Sequence, residues 1–448
     1  MRMTISTSMA KQEPNFEVLA GAGGVALGEA RTNHEGRQAL LLVRGTEDTT
    51  EFVSLVQTMG ITIVESIYQP GVEDAKGYFG KGRLQDISDE LRLLVDGHPW
   101  QKVDLVLIHT NATPRQLVAV SDSTNVEVWD RVRLLLSLFT AHANSLEART
   151  QVRIARLQSD RTVLRELANQ TTTGERAGYG GGGVTALQAV IANVNRELTS
   201  LRKRQRKHSK AQAERRRQRT RSGAVTVGIA GYTNAGKSSL LNALTAPDTT
   251  YVKNKLFATL DTTTKSVEVL KNKKVLITDT VGFIKNLPHN LVASFRSTFE
   301  EVDSSDLILT VVDASQNRRN IKDHISTIES TLNQMKIKIS RNILVFNKID
   351  LLTDSTSINY LKKKYPESVF ISAREHIMID RIKEIINSVV SENQSIKIVK
   401  VPFEKTSLIN KIYNQFDILS NIQTKDCTEL EVSATKEGHK KIQKLLKG

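Results

Sequence analysis

The sequence predicts an α/β chain in four parts: a small parallel α/β domain over residues 1–128, a long antiparallel helical hairpin over 129–221, a larger α/β domain over 222–392, and a small α/β module over 393–448. Three observations predict it. Short apolar runs rich in β-branched residues alternate with helix-like stretches before residue 129 and after residue 222, as buried parallel strands with right-handed crossovers do. Past Trp129 the apolar residues recur at three- and four-residue steps, the period of a helix face. A glycine-rich interruption then separates two such helical stretches.

In the first domain the strands are expected at Leu40–Val43, Ile61–Ile67 and Val103–Ile108, with helices at Glu51–Met59 and Arg83–Val95. Residues 1–38 have no clear period. Trp129, Val132, Leu136, Phe139, Ala143 and Leu146 lie on one stripe that continues through Ile154, Leu157, Leu164 and Leu167. That reads as one unbroken helix, about 60 Å long at 1.5 Å per residue. Thr171–Gly183 interrupts it, six of residues 174–183 being glycine. A second helix carries Leu187, Val190, Val194 and Leu198 on one face. In the larger domain strands are expected at Val225–Ala230, Ser266–Leu270, Val275–Thr278, Leu307–Val312, Ile343–Phe346 and Val369–Ile371. The tail reads strand (Ile396–Val401), helix (Thr406–Phe416), strand (Thr428–Val432), helix (Glu437–Leu446).

Of 448 residues, 39% are apolar and 25% charged, the balance of an ordinary soluble protein. No apolar run reaches the length of a membrane span. The first thirty residues mix Arg2 and Lys11 with Glu13, Glu17 and Glu29, unlike a signal or transit peptide. The single cysteine, Cys427, excludes an intrachain disulfide and a cysteine-based zinc site, and a reducing, cytoplasmic home is expected. Of the net charge of +15, residues 196–221 hold +10. Arg202, Lys203, Arg204, Arg206, Lys207, Lys210, Arg215, Arg216, Arg217, Arg219 and Arg221 read as the electrostatic footprint of a polyanion such as RNA. The alternative is a solvated helix face.

Gly231-Tyr232-Thr233-Asn234-Ala235-Gly236-Lys237-Ser238 follows an apolar strand and opens a helix at Ser239, the context a phosphate-binding loop requires. Its glycines let backbone N–H groups curl round phosphate oxygens, and the helix N-terminus adds partial positive charge. Lys237 would reach the β- and γ-phosphates and Ser238 would ligate Mg2+. Asp279-Thr280-Val281-Gly282 follows the next strand pair: Asp279 would hold the magnesium shell from outside, and the Gly282 amide would sense the γ-phosphate. Asn347-Lys348-Ile349-Asp350 follows another strand. A buried Asp350 would accept two hydrogen bonds from guanine and be left unsatisfied by adenine, a rejection worth roughly 10⁴-fold. Asn347 and the stem of Lys348 would brace the base, and Ser372-Ala373-Arg374 would close over its O6 through backbone amides. The nucleotide expected is therefore GTP or GDP, held at the carboxyl ends of strands in a Ras-like P-loop domain. Between the first two motifs, Leu256–Lys265 fits a switch segment, and spacing leaves Thr259, Thr262, Thr263 and Thr264 as equal candidates for the magnesium-sensing hydroxyl. The position after Gly282 is Phe283, which cannot orient water, so unassisted hydrolysis should be slow. Asn234 offers a ligand for a K+ ion that would assist. Bracing of the switch backbone is the competing role for it.

These motifs, with Leu256-Phe-Ala-Thr-Leu-Asp261, Asp279-Thr-Val-Gly-Phe-Ile284, the run from Leu287 to Val302, Val311-Val-Asp-Ala-Ser315 and Gly77-Tyr-Phe-Gly-Lys-Gly-Arg-Leu84, resemble the HflX family of translation-associated GTPases over residues 40–448. The resemblance implies a GTPase that binds the large ribosomal subunit and its RNA, coupled to ribosome splitting, recycling or stress; a monomer is expected. It selects Thr259 as the magnesium-sensing threonine and places Phe257, Ala258, Leu260 and Asp261 in the nucleotide site. One departure stands out. Family members usually carry Gly-Pro-Gly-Glu-Thr-x-Leu-Glu-x-Asp in the hairpin, whereas residues 181–190 read Gly-Gly-Gly-Val-Thr-Ala-Leu-Gln-Ala-Val, without the proline or any acid. Other readings are a nucleotide-gated switch on another RNA, and a regulatory GTPase whose first domain docks a protein.

Overall fold

The computed structural model describes residues 34–45, 48–93, 97–172, 181–221, 225–245, 263–270, 273–280, 282–285, 303, 305–335, 337, 341–352, 355–392, 394–413, 416–424, 426–434 and 436–447. It divides into two compact units, Met1–Arg204 and Gln205–Gly448, each described by itself.

The first unit runs β1 (Gln38–Arg44), α1 (Thr50–Thr58), β2 (Thr62–Gln69), α2 (Lys81–Arg92), β3 (Val103–Ile108), α3 (Pro114–Thr124), β4 (Glu127–Trp129), α4 (Arg131–His142), α5 (Leu146–Thr172) and the start of α6 (Gly181–Arg221). The strands form one parallel sheet, ordered β2-β1-β3-β4. Leu40 to Val43 are wholly buried, so β1 is covered on both faces, which is why its sequence is an unbroken apolar run. Pro114 opens α3, and Thr113 and Gln116 close a reciprocal capping box at its start. The Gly77-Tyr-Phe-Gly stretch has a packing role: Tyr78 and Phe79 are fully buried before α2 begins.

The hairpin helices pack on this sheet. Val163, Leu164 and Leu167 of α5 and Leu187 of α6 share a core with Leu40, Leu42, Val106 and Ile108. Further along, Ile154 and Leu157 meet Leu198, and Arg153 pairs with Glu197 at 2.8 Å. As α5 advances α6 recedes, so the two are antiparallel. The expected unbroken helix from Trp129 is corrected. Trp129 ends β4, and the chain leaves helical geometry at 143–145 between α4 and α5. Ala143 is extended, its carbonyl accepting from Arg149 Nε at 3.0 Å, and Ser145 Oγ accepts from the Ala148 amide at 3.0 Å. Asn144 and Ser145 are turn and cap residues, and Leu146, placed on the apolar stripe by periodicity, is 60% exposed.

The second unit runs β5 (Val225–Gly231), α7 (Lys237–Thr245), β6 (Thr263–Leu270), β7 (Lys273–Asp279), β8 (Leu307–Asp313), α8 (Arg318–Gln334), β9 (Asn342–Asn347), a 3-10 turn at Ile349–Leu351, α9 (Ser355–Lys364), β10 (Val369–Phe370) and α10 (Ile379–Glu392). The sheet order is β10-β9-β8-β5-β7-β6, parallel except for the antiparallel edge strand β6. β8 is buried along its whole length. The tail adds β11 (Ser395–Pro402), α11 (Ser407–Tyr413), β12 (Asp417–Gln423), β13 (Cys427–Ala434) and α12 (Lys436–Lys447). Its antiparallel order is β11-β13-β12; β12, with its polar ends and bulge, was not expected from the sequence.

Asp130 caps α4, accepting from the Arg133 amide at 2.8 Å, and is 4% exposed. Burial pushes its carboxyl from 3.8 up to about 6, against the pull of Arg133. The folded state thus keeps a proton that the unfolded chain releases, and the associated stability is lost as pH rises through 6. Asp130→Asn retains the cap without the charge, so its thermal midpoint should gain on the wild type between about pH 4 and 7. Asp130→Ala lacks both charge and cap and should lie about 1 kcal/mol below Asp130→Asn at every pH. Parallel wild-type and Asn curves in thermal unfolding would show that Asp130 ionises without cost.

Candidate nucleotide-binding and hydrolysis site

The neighbours β9, β8, β5 and β7 deliver the motifs read from the sequence to one end of the sheet, at their carboxyl ends. From β5 the chain turns through Tyr232 to Gly236 into α7. Asn234 takes a left-handed φ of 60°, which asparagine tolerates, and is exposed. Gly236, at φ 90°, has no room for a side chain: a Cβ would collide with Nδ2 of Asn347.

Lys237, the first residue of α7, is 6% exposed and donates from Nζ to the Tyr232 carbonyl at 3.0 Å. Burial lowers its pKa, opposed by the carboxylate of Asp279. Ser238 Oγ donates to Asp279 Oδ2 at 2.6 Å, and Asp279, closing β7, is 1% exposed. Ser239 follows in the first turn of α7. Thr280 Oγ1 ties back to the Ile229 carbonyl at 2.7 Å. The Thr233 amide donates to the Phe283 carbonyl at 2.8 Å, and the Phe283 amide to the Gly231 carbonyl at 3.0 Å. The phosphate loop and the Asp279–Phe283 segment are thus stitched together. Gly282 sits over the loop: a Cβ there would stand 2.8 Å from Thr233 Cγ2 and 2.9 Å from Lys237 Nζ.

At the base end, Asn347 donates to the Ala235 carbonyl and accepts from the Ala373 amide, each at 2.9 Å. Lys348 has a φ of 64° and donates from Nζ to Asp313 Oδ2 at 2.8 Å. Asp313 also accepts from the amide and hydroxyl of Ser315, and its role as the anchor of Lys348 was not read from the sequence. Ile349 and Asp350 form the 3-10 turn.

Two expectations are corrected here. Asp350 is exposed, not buried, so rejection of adenine requires the base itself to cover the carboxylate. Of the three amides expected over O6, that of Ser372 donates to the Ile377 carbonyl and that of Ala373 to Asn347, leaving Arg374 outside these bonds. Of the threonines, Thr263 and Thr264 belong to β6, where the Thr264 hydroxyl lies 2.9 Å from that of Thr278. Phe257, Ala258, Thr259, Leu260, Asp261, Thr262 and Val281 lie outside the described residues, as do residues 286–302 and the glycine-rich loop 173–180. Arg202, Lys203, Arg204, Arg206, Lys207 and Lys210 are exposed on α6. The side chains of Arg215, Arg216, Arg217, Arg219 and Arg221 are outside the described residues, though the α6 backbone continues through them.

A buried lysine and a serine–carboxylate pair at one end, with an asparagine-braced turn bearing a free-facing carboxylate at the other, suit a guanine nucleotide. The model of the family described as "50S ribosome-binding GTPase" matches residues 226–348, and that described as "GTP-binding GTPase N-terminal" matches 46–140. GTPase HflX of Methanocaldococcus jannaschii is 33% identical over 365 residues, 80% of this chain and 86% of that one. GTPase HflX of Caldanaerobacter subterraneus is 33% identical over 394 residues, 87% of each. The chain belongs to the HflX GTPase family. A crystal structure of a GTP-binding protein from Sulfolobus solfataricus with GDP is 22% identical over 80% of this chain and 99% of that one, with a TM-score of 0.41. As an HflX GTPase, this chain binds GTP and hydrolyses it to GDP and phosphate.

Gly282→Ala should push the 282 backbone off the loop, cutting GTP affinity at least about 10-fold while GDP affinity changes little, because only the γ-phosphate needs that amide. Equal losses for both nucleotides in a fluorescence titration would refute the assignment. Asp350→Asn should lower GTP affinity by about 10-fold or more and narrow the preference for guanine over adenine, read by competition with ATP.

Proposed function

We propose that this HflX GTPase is a cytoplasmic, monomeric factor that acts on the large ribosomal subunit, in splitting, recycling or a stress response. The observation that carries the reading is the basic stripe of α6. Arg202, Lys203, Arg206, Lys207 and Lys210 fall within about 140° of the helix surface, at 100° per residue, and all are exposed. Phosphate contacts from such a stripe are independent of RNA sequence and sensitive to salt. The description of the family matched by residues 226–348 points the same way. Among the described residues no helix is long and apolar enough to cross a membrane.

The catalytic reading assigns Mg2+ to Ser238 and Thr259, with Asp279 ordering the ion's water shell. The donors fit: hard oxygens, few in number, suit an ion that keeps its waters and leans on phosphate. Among the described residues no cluster of three or more His, Cys, Asp or Glu is placed to hold a metal on its own. When bound, the ion neutralises charge between the β- and γ-phosphates. Lys237 stabilises the same charge, the Gly282 amide orients the γ-phosphate, and Asn347 with Asp350 fixes the base. Asn234 is assigned to a K+ ion, which would supply positive charge otherwise given by an arginine. Phe283 is 1% exposed and offers no group to align water, so turnover depends on the partner.

The test is GTP turnover with and without large ribosomal subunits from the same source, in potassium and in sodium at equal ionic strength. Stimulation of at least about 10-fold is expected, and faster turnover in potassium. Absent stimulation with intact GTP binding would shift the reading to a switch on another RNA or a protein-docking GTPase. Neutralising Arg215, Arg216 and Arg217 should spare GTP binding and flatten the dependence of log affinity on log salt by about 2–3.

A further inference from the structure

We propose that His324 is a positioning residue for GTP hydrolysis: stacked on Tyr232, it fixes the tyrosine hydroxyl that holds the Lys285 amide, and so sets the path of the chain just past Gly282 and Phe283.

Tyr232 touches three parts of the site. Its carbonyl accepts from Lys237 Nζ at 3.0 Å. Its hydroxyl accepts from the Lys285 amide at 2.8 Å, two residues beyond the Phe283 amide already bonded to Gly231. Its ring lies on the imidazole of His324, with centroids 3.8 Å apart and planes 11° from parallel. Tyr232 is 5% exposed, so the ring has little freedom to leave that contact.

The platform beneath it is rigid. His324 sits in α8, which Asn317 caps through the Asn320 amide at 2.8 Å. Ile321, Ile325, Ile328 and Leu332 root the helix in the core. A second, weaker link runs in the same direction: Lys285 Nζ lies 3.9 Å from Asp323 Oδ2, both well exposed. The geometry therefore runs from a helix with one buried face, through two aromatic rings, to one backbone amide. That amide lies two residues after Phe283, which stands directly after Gly282 in place of a water-orienting side chain. Holding the backbone is the contribution this segment can make.

The groups facing the imidazole are Asp313 at the end of β8, Asp323 on α8, Lys285 and the Tyr232 ring. Burial disfavours its charged form, and Lys285 adds to this against the two carboxylates, so its pKa lies below the ordinary 6.5. The unfolded chain takes up the proton first. The stack is accordingly at full strength above pH 6.5 and loses stability as pH falls below it.

The experiment is single-turnover hydrolysis by the full-length protein, with GTP and GDP affinities from a fluorescent nucleotide analogue. His324→Ala should slow the hydrolysis step about 5- to 10-fold, the equivalent of one lost aligning hydrogen bond, with both affinities unchanged within about 2-fold. His324→Phe keeps the stack and should restore the rate. Tyr232→Phe keeps the stack but loses the hydroxyl and should match His324→Ala, with the double variant no slower than either. On acidification below about pH 6.5 the wild-type rate should fall relative to that of His324→Phe. An unchanged rate in His324→Ala or Tyr232→Phe would overturn the proposal. So would multiplicative losses in the double variant, or a loss in His324→Phe as large as in His324→Ala. Should His324→Ala fail to fold, Tyr232→Phe and the pH profile of His324→Phe decide.

Discussion

Asn347 donates from Nδ2 to the carbonyl of Ala235 and accepts at Oδ1 from the amide of Ala373, with its residue 2% exposed. Both ends of the nucleotide site hang on this one amide. The phosphate loop closes against it at Gly236, where its Nδ2 occupies the place a Cβ would take. The loop after β10 is held at Ala373. An aspartate would turn an acceptor toward the Ala235 carbonyl, and a leucine would leave both backbone groups unpaired at about 1–3 kcal/mol each. The residue must therefore donate on one side and accept on the other, and a primary amide is the short side chain that does so. Lys348 follows at a left-handed φ, so its stem departs toward Asp313 and the next turn presents Asp350 outward.

A second set of bonds joins the phosphate loop to the segment around Gly282, the proposed reporter on the γ-phosphate. Thr233 and Gly231 exchange backbone hydrogen bonds with Phe283, and Thr280 holds Ile229. The phenyl ring of Phe283 is committed to the core and its main chain to the loop. This explains how the site tolerates losing a water-orienting side chain. The position ties the phosphate loop to the chain after β7, and a polar side chain there would need a buried partner. In the proposed mechanism the last step therefore relies on the backbone around Phe283 and on the partner, not on a side chain at 283.

Much of this was legible in the sequence because each motif sits after a strand whose apolar run marks it. Gly231 to Ser238, Asp279 and Asn347 to Asp350 all fall where the pattern put them, because loop chemistry there is dictated by few residues. What was not legible depends on distant partners. Nothing near Asp313 in sequence says that Lys348 will reach it, and nothing near His324 says that Tyr232 will stack on it. The break between α4 and α5 was hidden for another reason: Ala143 and Leu146 keep the helical spacing across it, while the cap made by Ser145 Oγ interrupts the helix. β12 was missed because a strand at the edge of a three-stranded sheet needs no continuous apolar run, and Asp417, Ser420 and Asn421 break its pattern.

The charge of the chain and the chemistry of the site answer different demands. The exposed stripe of lysine and arginine on α6 is the proposed contact with a polyanion, and exposed charges of this kind respond to salt and not to a phosphate bound at Lys237. A ligand shifts a conformational equilibrium only by as much as its affinity differs between the two states. Nucleotide control over a proposed ribosomal partner must therefore come from segments whose position the γ-phosphate changes. Gly282 lies close over Lys237, and the residues after it are bonded to the phosphate loop at Gly231 and Thr233 and to the hydroxyl of Tyr232. The stripe bears on the affinity for the proposed RNA partner and not on its control by nucleotide. The Gly282 segment, tied to the phosphate loop through Phe283 and to the Tyr232 hydroxyl through Lys285, is where such control would act.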